Sequence, residues 1–287
     1  MNIANGWPPS GHRKTETSTP ALLGEIGSLQ VRLASDKSEL EAAQRLRFKI
    51  FSAEMAATPD IAAPDSERDE DRYDLVCDHL VVIDRQLAGP SSERIVGTYR
   101  LLRGEVARNN GGFYSQSEFD VEAIAARYPE RNILELGRSC VLPAYRGKRT
   151  IELLWQGIWA YCLQYRIDVM LGCASFPGTE PRNHALALSF LAHHAQACAA
   201  WNTRPTAADA VPMEMMPAEA IDLKAALSAL PPLVKGYLRL GAKFADHAVI
   251  DRPFGSIDVL VVLPVEAISE RYVRYYGADA GRFAAAG

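Results

Sequence analysis

The chain has 287 residues and a net charge of −4, and 48% of its residues are apolar against 23% charged. These values are typical of a soluble globular protein and exclude a disordered, collagen-like or disulfide-scaffold protein. The acidic balance gives no reason to expect nucleic-acid binding, no secretory signal is recognisable, and no apolar stretch reaches the ~20 residues of a membrane-spanning helix.

The first half of the chain is predicted to alternate between strands and helices. Residues 1–28, rich in Pro, Gly, Ser, Thr and Asn, are predicted to form a disordered arm. Leu29–Leu33 alternates like a strand, and the following helix carries Arg47 inside an otherwise apolar stripe. An acidic loop is expected over 59–74. Further strands are predicted over 79–84, 95–102 and 133–142, with a short helix over 117–128.

The second half continues this alternation. The clearest helix is predicted over 150–166, and a nearly all-apolar strand over 168–176 has the pattern of a sheet covered on both faces. Helices are expected over 183–200 and 233–240, separated by a proline-rich loop or lid with a short helix over 202–232, and the last strand is expected over 258–263. The pattern predicts one α/β domain over 29–277, with a mixed central sheet flanked by helices, and a flexible tail over 278–287.

A turn between the strand over 133–142 and the helix that follows it suits a phosphate. A helix start presents free backbone N–H groups and the positive end of the helix dipole. Arg146, Lys148 and Arg149 add positive charge at the same place. The alternative is a strand-to-helix turn that simply carries a glycine and surface cations.

Two charged residues, Glu135 and Arg138, interrupt the apolar run of that strand. Strict alternation would place them on opposite faces, so both reach one site only if a bulge intervenes, and Gly137 is where we expect it. A bulge also frees a backbone N–H that could point at a reacting carbonyl. The alternative is a structural ion pair that each residue makes with the core.

These motifs resemble those of the GNAT acyltransferase superfamily. The likeness rests on Val141-x-Pro-x-x-Arg146-Gly147 as the acyl-donor loop and on Tyr237-x-x-x-Gly241 in a late helix. Other residues resemble the acyl-homoserine-lactone-synthase-like branch, which takes its acyl group from acyl carrier protein. They are Arg47 with Phe51, Asp71 with Asp74, Arg100, and Glu135 with Arg138.

Within that branch, the sequence is most similar to the ornithine N-acyltransferases of ornithine-lipid synthesis, some of whose relatives carry a hemolysin label. Four segments within residues 30–275 carry this resemblance: 135–141, 172–178, 230–243 and 251–258. The resemblance implies a GNAT-like fold and transfer of a 3-hydroxyacyl chain from acyl carrier protein to the α-amino group of L-ornithine, forming lyso-ornithine lipid. It implies no tightly bound cofactor and no metal, because the acyl-phosphopantetheine arm is the donor.

The resemblance also implies the role of each site residue. Glu135 would be the general base, directly or through water, with an oxyanion-stabilising N–H near Gly137. Tyr237 would protonate the leaving thiolate, unless it only packs in the core. The implied substrate-binding residues are Arg47, Arg100 and Arg138 for a carboxylate, Asp71, Asp74 and Asp258 for ammonium groups, and Phe51, Ser139 and Ser175. The alternative is that these charges pair with one another and organise the site.

One departure concerns the donor loop, for which the implied phosphate-binding residues are Tyr145, Arg146, Gly147, Lys148, Arg149 and Thr150. The usual loop has more glycines after Arg-Gly, where Lys148, Arg149 and Thr150 stand here. Side chains at these positions crowd a loop that would wrap the pyrophosphate of coenzyme A. The single phosphate of a carrier-protein arm would suit this loop better.

Two further sequence features, a basic stripe and the cysteine pattern, indicate possible partners and localisation. Lys235, Arg239 and Lys243 are spaced by four and predict a basic helix stripe that could contact acyl carrier protein or the inner membrane, or simply face solvent. Five widely spaced cysteines predict neither a zinc site nor a disulfide framework and favour the cytoplasm, with peripheral membrane contact as an option.

Two other functions stay open. One is an acyl-homoserine-lactone synthase using S-adenosylmethionine, against which the long region after residue 178 argues. The other is a non-catalytic protein that binds acyl carrier protein or lipid, which would keep the cationic loop without needing Glu135.

Overall fold

One mixed sheet runs through the part of the chain that the computed structural model describes, residues 21–54 and 67–277. Its strands are β1 (Leu22–Ile26), β2 (Leu29–Leu33), β3 (Asp78–Asp84), β4 (Ile95–Arg103), β5 (Ile133–Val141), β6 (Val169–Pro177), β7 (Ala210–Pro212), β8 (Lys243–Asp251) and β9 (Ser256–Pro264). The helices are α1 (Lys37–Glu54), α2 (Gly104–Asn109), α3 (Val121–Arg127), α4 (Lys148–Tyr165), α5 (Ala185–His194), α6 (Leu223–Ala229), α7 (Pro232–Leu240) and α8 (Glu270–Gly277).

Helices cover both faces of the sheet, as the sequence pattern predicts. The apolar side of α4, including Leu154 and Ile158, packs with Val31 and Leu80 on one face. On the opposite face α1 packs against β3, β4 and β5, and α3 packs against β5 and β6 in a second apolar cluster. The predicted α/β fold, a mixed central sheet flanked by helices, is therefore confirmed.

The sheet opens at its centre, between β5 and β6. In the order β1-β2-β3-β4-β5-β6-β9-β8-β7, these two strands form the parallel pair and the other neighbours are antiparallel. Their pairing covers only the start of each strand and ends where Glu135 faces Leu171. Beyond that point β5 pairs only with β4, and β6 only with β9, so a cleft separates 136–141 from 172–177.

A glycine permits the close approach of the two strands at the head of this cleft. A Cβ atom on Gly172 would lie 2.2 Å from the carbonyl oxygen of Leu136, closer than any real side chain can come. Gly172 also has a φ of +153°, which L residues rarely adopt. The strand can pass so near β5 only because this position carries no side chain.

The structure corrects the boundary of the predicted N-terminal arm. Leu22–Ile26 forms β1, which pairs with β2 around a turn that contains Gly27. Leu23 is buried in the core, so this short apolar segment outweighs the polar composition of the residues before it. Residues 1–20, the 59–66 part of the predicted acidic loop and the predicted tail 278–287 lie outside the described residues.

Other differences concern the second half. The helix expected over 183–200 ends at His194. The lid region contains the expected short helix, α6, and also the strand β7, which was not predicted. The strand β8 was not predicted. Gly241 ends α7 with a φ of +96°, as expected, so Lys243 lies on β8 and does not extend a helix stripe. Among the described helices, none is both long and apolar enough to cross a membrane.

Candidate active site

A bulge interrupts β5 beside the cleft. Arg100 pairs with Gly137 and Thr98 with Cys140, so one residue of β4 faces two residues of β5. The bulge is where the sequence predicts one, but the residue with a left-handed backbone is Arg138, with a φ of +50°, and not Gly137. The extra residue brings Glu135 and Arg138 to the same face of the sheet.

Arg138 is held between two aromatic rings and two carboxylates. Its guanidinium carbon lies 4.7 Å from the ring centre of Tyr114 and 4.5 Å from that of Phe254. Its nitrogens lie 3.1 Å from an oxygen of Asp69 and 3.4 Å from one of Asp71. These contacts fix a charged side chain at the bulge, close to the cleft.

Buried ion pairs extend from this point into the protein. Arg47 contacts Asp69 and Asp74, each with a nitrogen–oxygen distance of 2.7 Å, and is only 1% exposed. Arg100 donates to both oxygens of Asp71 at 2.7 Å and also contacts Asp74. Burial alone would raise the pKa of Asp74, but Arg47 and Arg100 hold it well below its ordinary value.

This network involves several of the predicted substrate-binding residues. Arg47 and Asp74 are enclosed and pair with each other, so they are not available to a carboxylate or an ammonium group in this conformation. Arg100 likewise pairs with Asp71 and Asp74 through one terminal nitrogen, while its other terminal nitrogen is buried without a hydrogen-bond partner among the described residues. The alternative drawn from the sequence, that these charges organise the site, therefore describes this network, since burying them unpaired would be far less favourable.

Glu135 lies beneath a turn that precedes α3. Its two oxygens accept hydrogen bonds from the backbone N–H groups of Tyr114 and Ser115, each 2.7 Å long, and from the Ser115 hydroxyl. The residue is 3% exposed, and burial raises the pKa of its carboxyl group although these hydrogen bonds oppose the rise. Three of about four acceptor positions of the carboxylate are therefore in use.

A second group of carboxylates lies on the same face. Asp258, predicted from the sequence, meets Glu118 and Asp251, and one carboxylate oxygen of each lies within 4.8 Å of the others. Sequence reasoning missed Glu118 and Asp251 as site residues. Asp251 lies in the 251–258 motif, seven residues before Asp258, but Glu118 belongs to an irregular turn whose position no local pattern reveals.

Ser175 and Phe51 border this group. Ser175 pairs across the sheet with Asp258 and hydrogen-bonds its carboxylate. The ring of Phe51, on α1, lies 6.0 Å from that of Phe254 in the turn between β8 and β9. The structure thus brings these two predicted residues to the same region as Arg138.

Tyr237 lies on the opposite face, at the end of a short hydrogen-bonded chain. Its hydroxyl is 2.9 Å from that of Tyr99, which in turn bonds the side chain of Ser139 in the bulge. Tyr237 is 5% exposed and packs edge-on against Trp155. Burial raises the pKa of its hydroxyl well above the ordinary value, so the group stays protonated.

The predicted phosphate-binding side chains mostly have partners nearby. Tyr145 donates to Asp84, Arg146 Nε donates to the carbonyl oxygen of Val141, and Lys148 forms an ion pair with Glu152. The other three residues differ from these: Gly147 caps α4 without a side-chain hydrogen bond, Arg149 is exposed, and Thr150 is buried. The backbone N–H groups at the start of α4 therefore offer the clearest place for a phosphate.

Comparisons with known proteins show the family of this chain. The family model described as Acetyltransferase (GNAT) domain matches residues 46–156. L-ornithine N(alpha)-acyltransferase of Brucella abortus (strain 2308) is 54% identical over 262 residues, which span 91% of this chain and 93% of that protein. The protein of the same name from Agrobacterium fabrum (strain C58) is 51% identical over 273 residues, or 95% of this chain and 93% of the relative.

Among solved structures, FeeM, an N-acyl amino acid synthase from uncultured soil microbes, matches with a TM-score of 0.47 at 12% identity, over 83% of this chain and 91% of that chain. The two curated relatives decide the family, because they are similar over nearly the whole of both chains. The chain belongs to the family of L-ornithine N(alpha)-acyltransferases.

Proposed function

We propose that the protein transfers a 3-hydroxyacyl chain from the phosphopantetheine arm of acyl carrier protein to the α-amino group of L-ornithine, forming lyso-ornithine lipid. The observation that carries this proposal is the cleft between β5 and β6, which borders the bulge at Arg138 and leads along β5 toward the start of α4. The acceptor is taken from the relatives, which are L-ornithine N(alpha)-acyltransferases.

The donor arm would lie in the cleft with its phosphate at the start of α4. The helix dipole and the free N–H groups there attract an anion, and Gly147 leaves room for it. Lys148, Arg149 and Thr150 stand where further glycines would let the backbone wrap a pyrophosphate. A single phosphate is therefore the better fit, which favours carrier protein over coenzyme A.

The α-amine must lose a proton before it attacks the thioester, because it is mostly protonated near neutral pH. Glu135 would accept that proton through a bridging water at its remaining acceptor position. A backbone N–H of the bulge, next to Gly137, would stabilise the oxyanion that develops on the carbonyl. Arg138 borders the cleft and is the most exposed of the three predicted carboxylate-binding arginines. It also contacts Asp69 and Asp71, so the acceptor's carboxylate would bind a guanidinium that these aspartates already orient.

The leaving thiolate needs a proton in return. Tyr237 would supply it through Tyr99 and Ser139, because this chain of hydroxyl groups joins the buried tyrosine to the bulge. A slower acyl transfer by Tyr237→Phe, at an unchanged KM for the donor, tests this role.

Basic side chains outside the cleft would contact carrier protein and the membrane. Arg149 and Lys148 are exposed at the start of α4, and Arg239 and Lys243 are exposed near the end of α7. Carrier proteins and bacterial membrane surfaces are both acidic, so this distribution supports a cytoplasmic enzyme with peripheral membrane contact.

Product identification tests the proposal. Purified protein is incubated with 3-hydroxyacyl carrier protein and, in turn, ornithine, lysine, glutamine, glycine and S-adenosylmethionine, and the products are analysed by mass spectrometry. We expect α-N-acylornithine. An acyl-homoserine lactone would favour the synthase alternative, and the absence of an amide with every amino acid would contradict acyl transfer altogether.

A further inference from the structure

Three carboxylates meet beside the bulge. Glu118 precedes α3, Asp251 ends β8, and Asp258 lies near the start of β9. Their carboxylate oxygens lie within 4.8 Å of one another. Within the described residues, no lysine or arginine nitrogen comes within ion-pair distance of any of the three. Such a cluster repels itself unless it holds protons or binds a cation.

Hydrogen bonds within the site leave a buried carboxylate oxygen of Glu118 unused. Asp258 accepts from Ser256 at 3.0 Å and also bonds Ser175, while Asp251 accepts from the backbone N–H of Phe254. Glu118 is 8% exposed and its carboxyl group hydrogen-bonds the side chain of Cys173, yet its Oε2 has no partner among the described residues. A buried carboxylate oxygen without a donor is unfavourable, so this atom points to a cationic donor that the protein itself does not supply.

The cluster can be reached from the cleft side. Asp251, Phe254 and Ser175 are partly exposed, whereas Glu118 and Asp258 lie behind them. Arg138 lies near enough for its charge to lower the pKa of Glu118 and of Asp258, although burial raises both. The cluster is therefore next to the bulge where the amide would form.

We propose that Glu118, Asp251 and Asp258 bind the side-chain ammonium group of the acceptor amino acid, so that the enzyme selects an acceptor with a second amine. The inference rests on the proposed function, because it assigns a binding site for the side chain of the same acceptor amino acid. An ammonium group offers three N–H donors, which matches three converging carboxylates. Charge-assisted bonds to it replace the proton that the cluster holds, so binding releases a proton.

The charged and titratable groups that face the cluster determine when this proton is released. They are Arg138 on β5, Cys173 on β6 and, next to Cys173, Glu135. Burial raises the pKa of Cys173 and of Glu135, so neither is a ready source of extra negative charge. With the pKa of Asp258 raised to about 6, release is expected to be largest at or below that pH.

The first experiment uses the full chain without substitutions. Calorimetric titrations with L-ornithine and with L-norvaline, which has the same carbon chain without the second amine, are made at about pH 6 in two buffers of different ionisation enthalpy. Ornithine should bind at least about tenfold more tightly and release up to about one proton, whereas norvaline should release none. Equal affinity and equal proton release would overturn the inference.

The second experiment compares Glu118→Gln and Asp258→Asn with Glu105→Gln, which removes an exposed carboxylate elsewhere. In the two cluster variants the KM for ornithine should rise about tenfold or more, while kcat/KM for norvaline changes by less than about twofold. The control should match the unsubstituted protein. Melting curves identify any variant that fails to fold, in which case the calorimetry still decides.

The outcomes separate this inference from the proposed function. If no acylornithine forms at all, the proposed function fails. If acylornithine forms but the cluster variants lose ornithine and norvaline turnover equally, only the ammonium site is wrong. Micromolar binding of Mg²⁺ or Ca²⁺ that the same substitutions abolish, with activity lost in chelator, would assign the cluster to a metal ion instead.

Discussion

Arg138 keeps a backbone conformation that side-chain-bearing residues rarely adopt, and its surroundings explain how. A left-handed residue other than glycine costs on the order of 1–3 kcal/mol and persists only where neighbouring contacts hold it. Here the ion contacts with Asp69 and Asp71 and the rings of Tyr114 and Phe254 surround the side chain. The strained residue lies at the point where the substrates are proposed to meet.

Glu135 is the residue whose replacement tests the chemistry. Glu135→Gln should lower kcat by about a hundredfold or more, as expected when a general base is lost. It should also lower the free energy of unfolding by about 2 kcal/mol, because an amide has one acceptor oxygen for the donors of Tyr114 and Ser115. Stopped assays over a range of pH and urea unfolding measure the two effects.

The pH profile separates catalysis from folding in that variant. Because burial raises the pKa of Glu135 above the ordinary 4.5, the acidic limb of kcat/KM should lie above that value and disappear in Glu135→Gln. Glu105→Gln, an exposed carboxylate elsewhere, should keep the limb. If stability falls while kcat and its profile are unchanged, Glu135 only holds the turn over 114–117.

The raised pKa of Asp258 predicts how the stability of the protein changes with pH. Its pKa is raised in the fold from 3.8 to about 6, so the stability it contributes is present below about pH 4 and is lost as the pH rises to about 6. Asp258→Asn should therefore gain stability relative to the unsubstituted protein over this window, by up to about 3 kcal/mol. Urea unfolding at pH values across the window measures the difference.

Asp246 is the matched control for this experiment. Hydrogen bonds from His247 and Asn202 lower the pKa of its carboxyl group despite partial burial. Its stabilising contribution is present at higher pH and is lost on acidification, so Asp246→Asn should lose stability relative to the unsubstituted protein as the pH rises. The same sign in both variants would contradict the burial assigned to Asp258.

At the scale of the secondary-structure elements, the separation of β5 from β6 creates the site. The two strands approach each other closely at Gly172 and Leu136 and share no pairing beyond Leu171. The bulge lies on one side of the cleft, and Ser175 with its partner Asp258 lies on the other. The position of the cleft therefore depends on where the close approach ends.

Gly172→Ala tests this dependence. The added Cβ would lie 2.2 Å from the carbonyl oxygen of Leu136, so the strands must move apart and the free energy of unfolding should fall by more than about 2 kcal/mol. Gly236→Ala is the control, because a Cβ on that helical glycine meets nothing within 4 Å and should be neutral or stabilising. Urea unfolding that gave the same result for both variants would show that β5 and β6 do not need this close approach.

The elements that could be predicted are those with a local pattern. A few consecutive residues are enough to recognise the apolar stripe of α4, the apolar run of β6 and the glycine that ends α7. The strand β1 was missed because its five residues lie beside a long polar segment. The bulge could be expected because Glu135 and Arg138 make sense on one face only with an extra residue between them.

The pairing of the charged side chains in the site could not be predicted from local sequence patterns. Arg47 could pair either with a substrate or with Asp74. The outcome depends on how deeply α1 packs over β4 and β5, which the spacing of residues in the sequence does not show. Glu118 lies near Asp258 in a segment whose preceding turn is bonded to Glu135 on the sheet. Long-range packing thus decides which charged side chains remain available.

For the whole molecule, the net charge of −4 opposes the approach of an acidic carrier protein. Docking of the proposed carrier-protein donor must therefore depend on local positive charge. Arg149 is exposed at the start of α4, where the phosphate is proposed to bind. Arg149→Glu should raise the KM for acyl carrier protein about fivefold or more while kcat stays nearly constant. The effect should shrink as salt screens the interaction.

Arg108→Glu is the control for Arg149→Glu, because it changes the net charge by the same amount at an exposed position on α2. If the global charge controlled docking, both variants would raise the KM equally; if the start of α4 is the docking site, only Arg149→Glu does. Steady-state kinetics with acyl carrier protein at low and high salt distinguish the two. An unchanged KM in Arg149→Glu would move carrier docking away from α4 and toward the basic side chains near the end of α7.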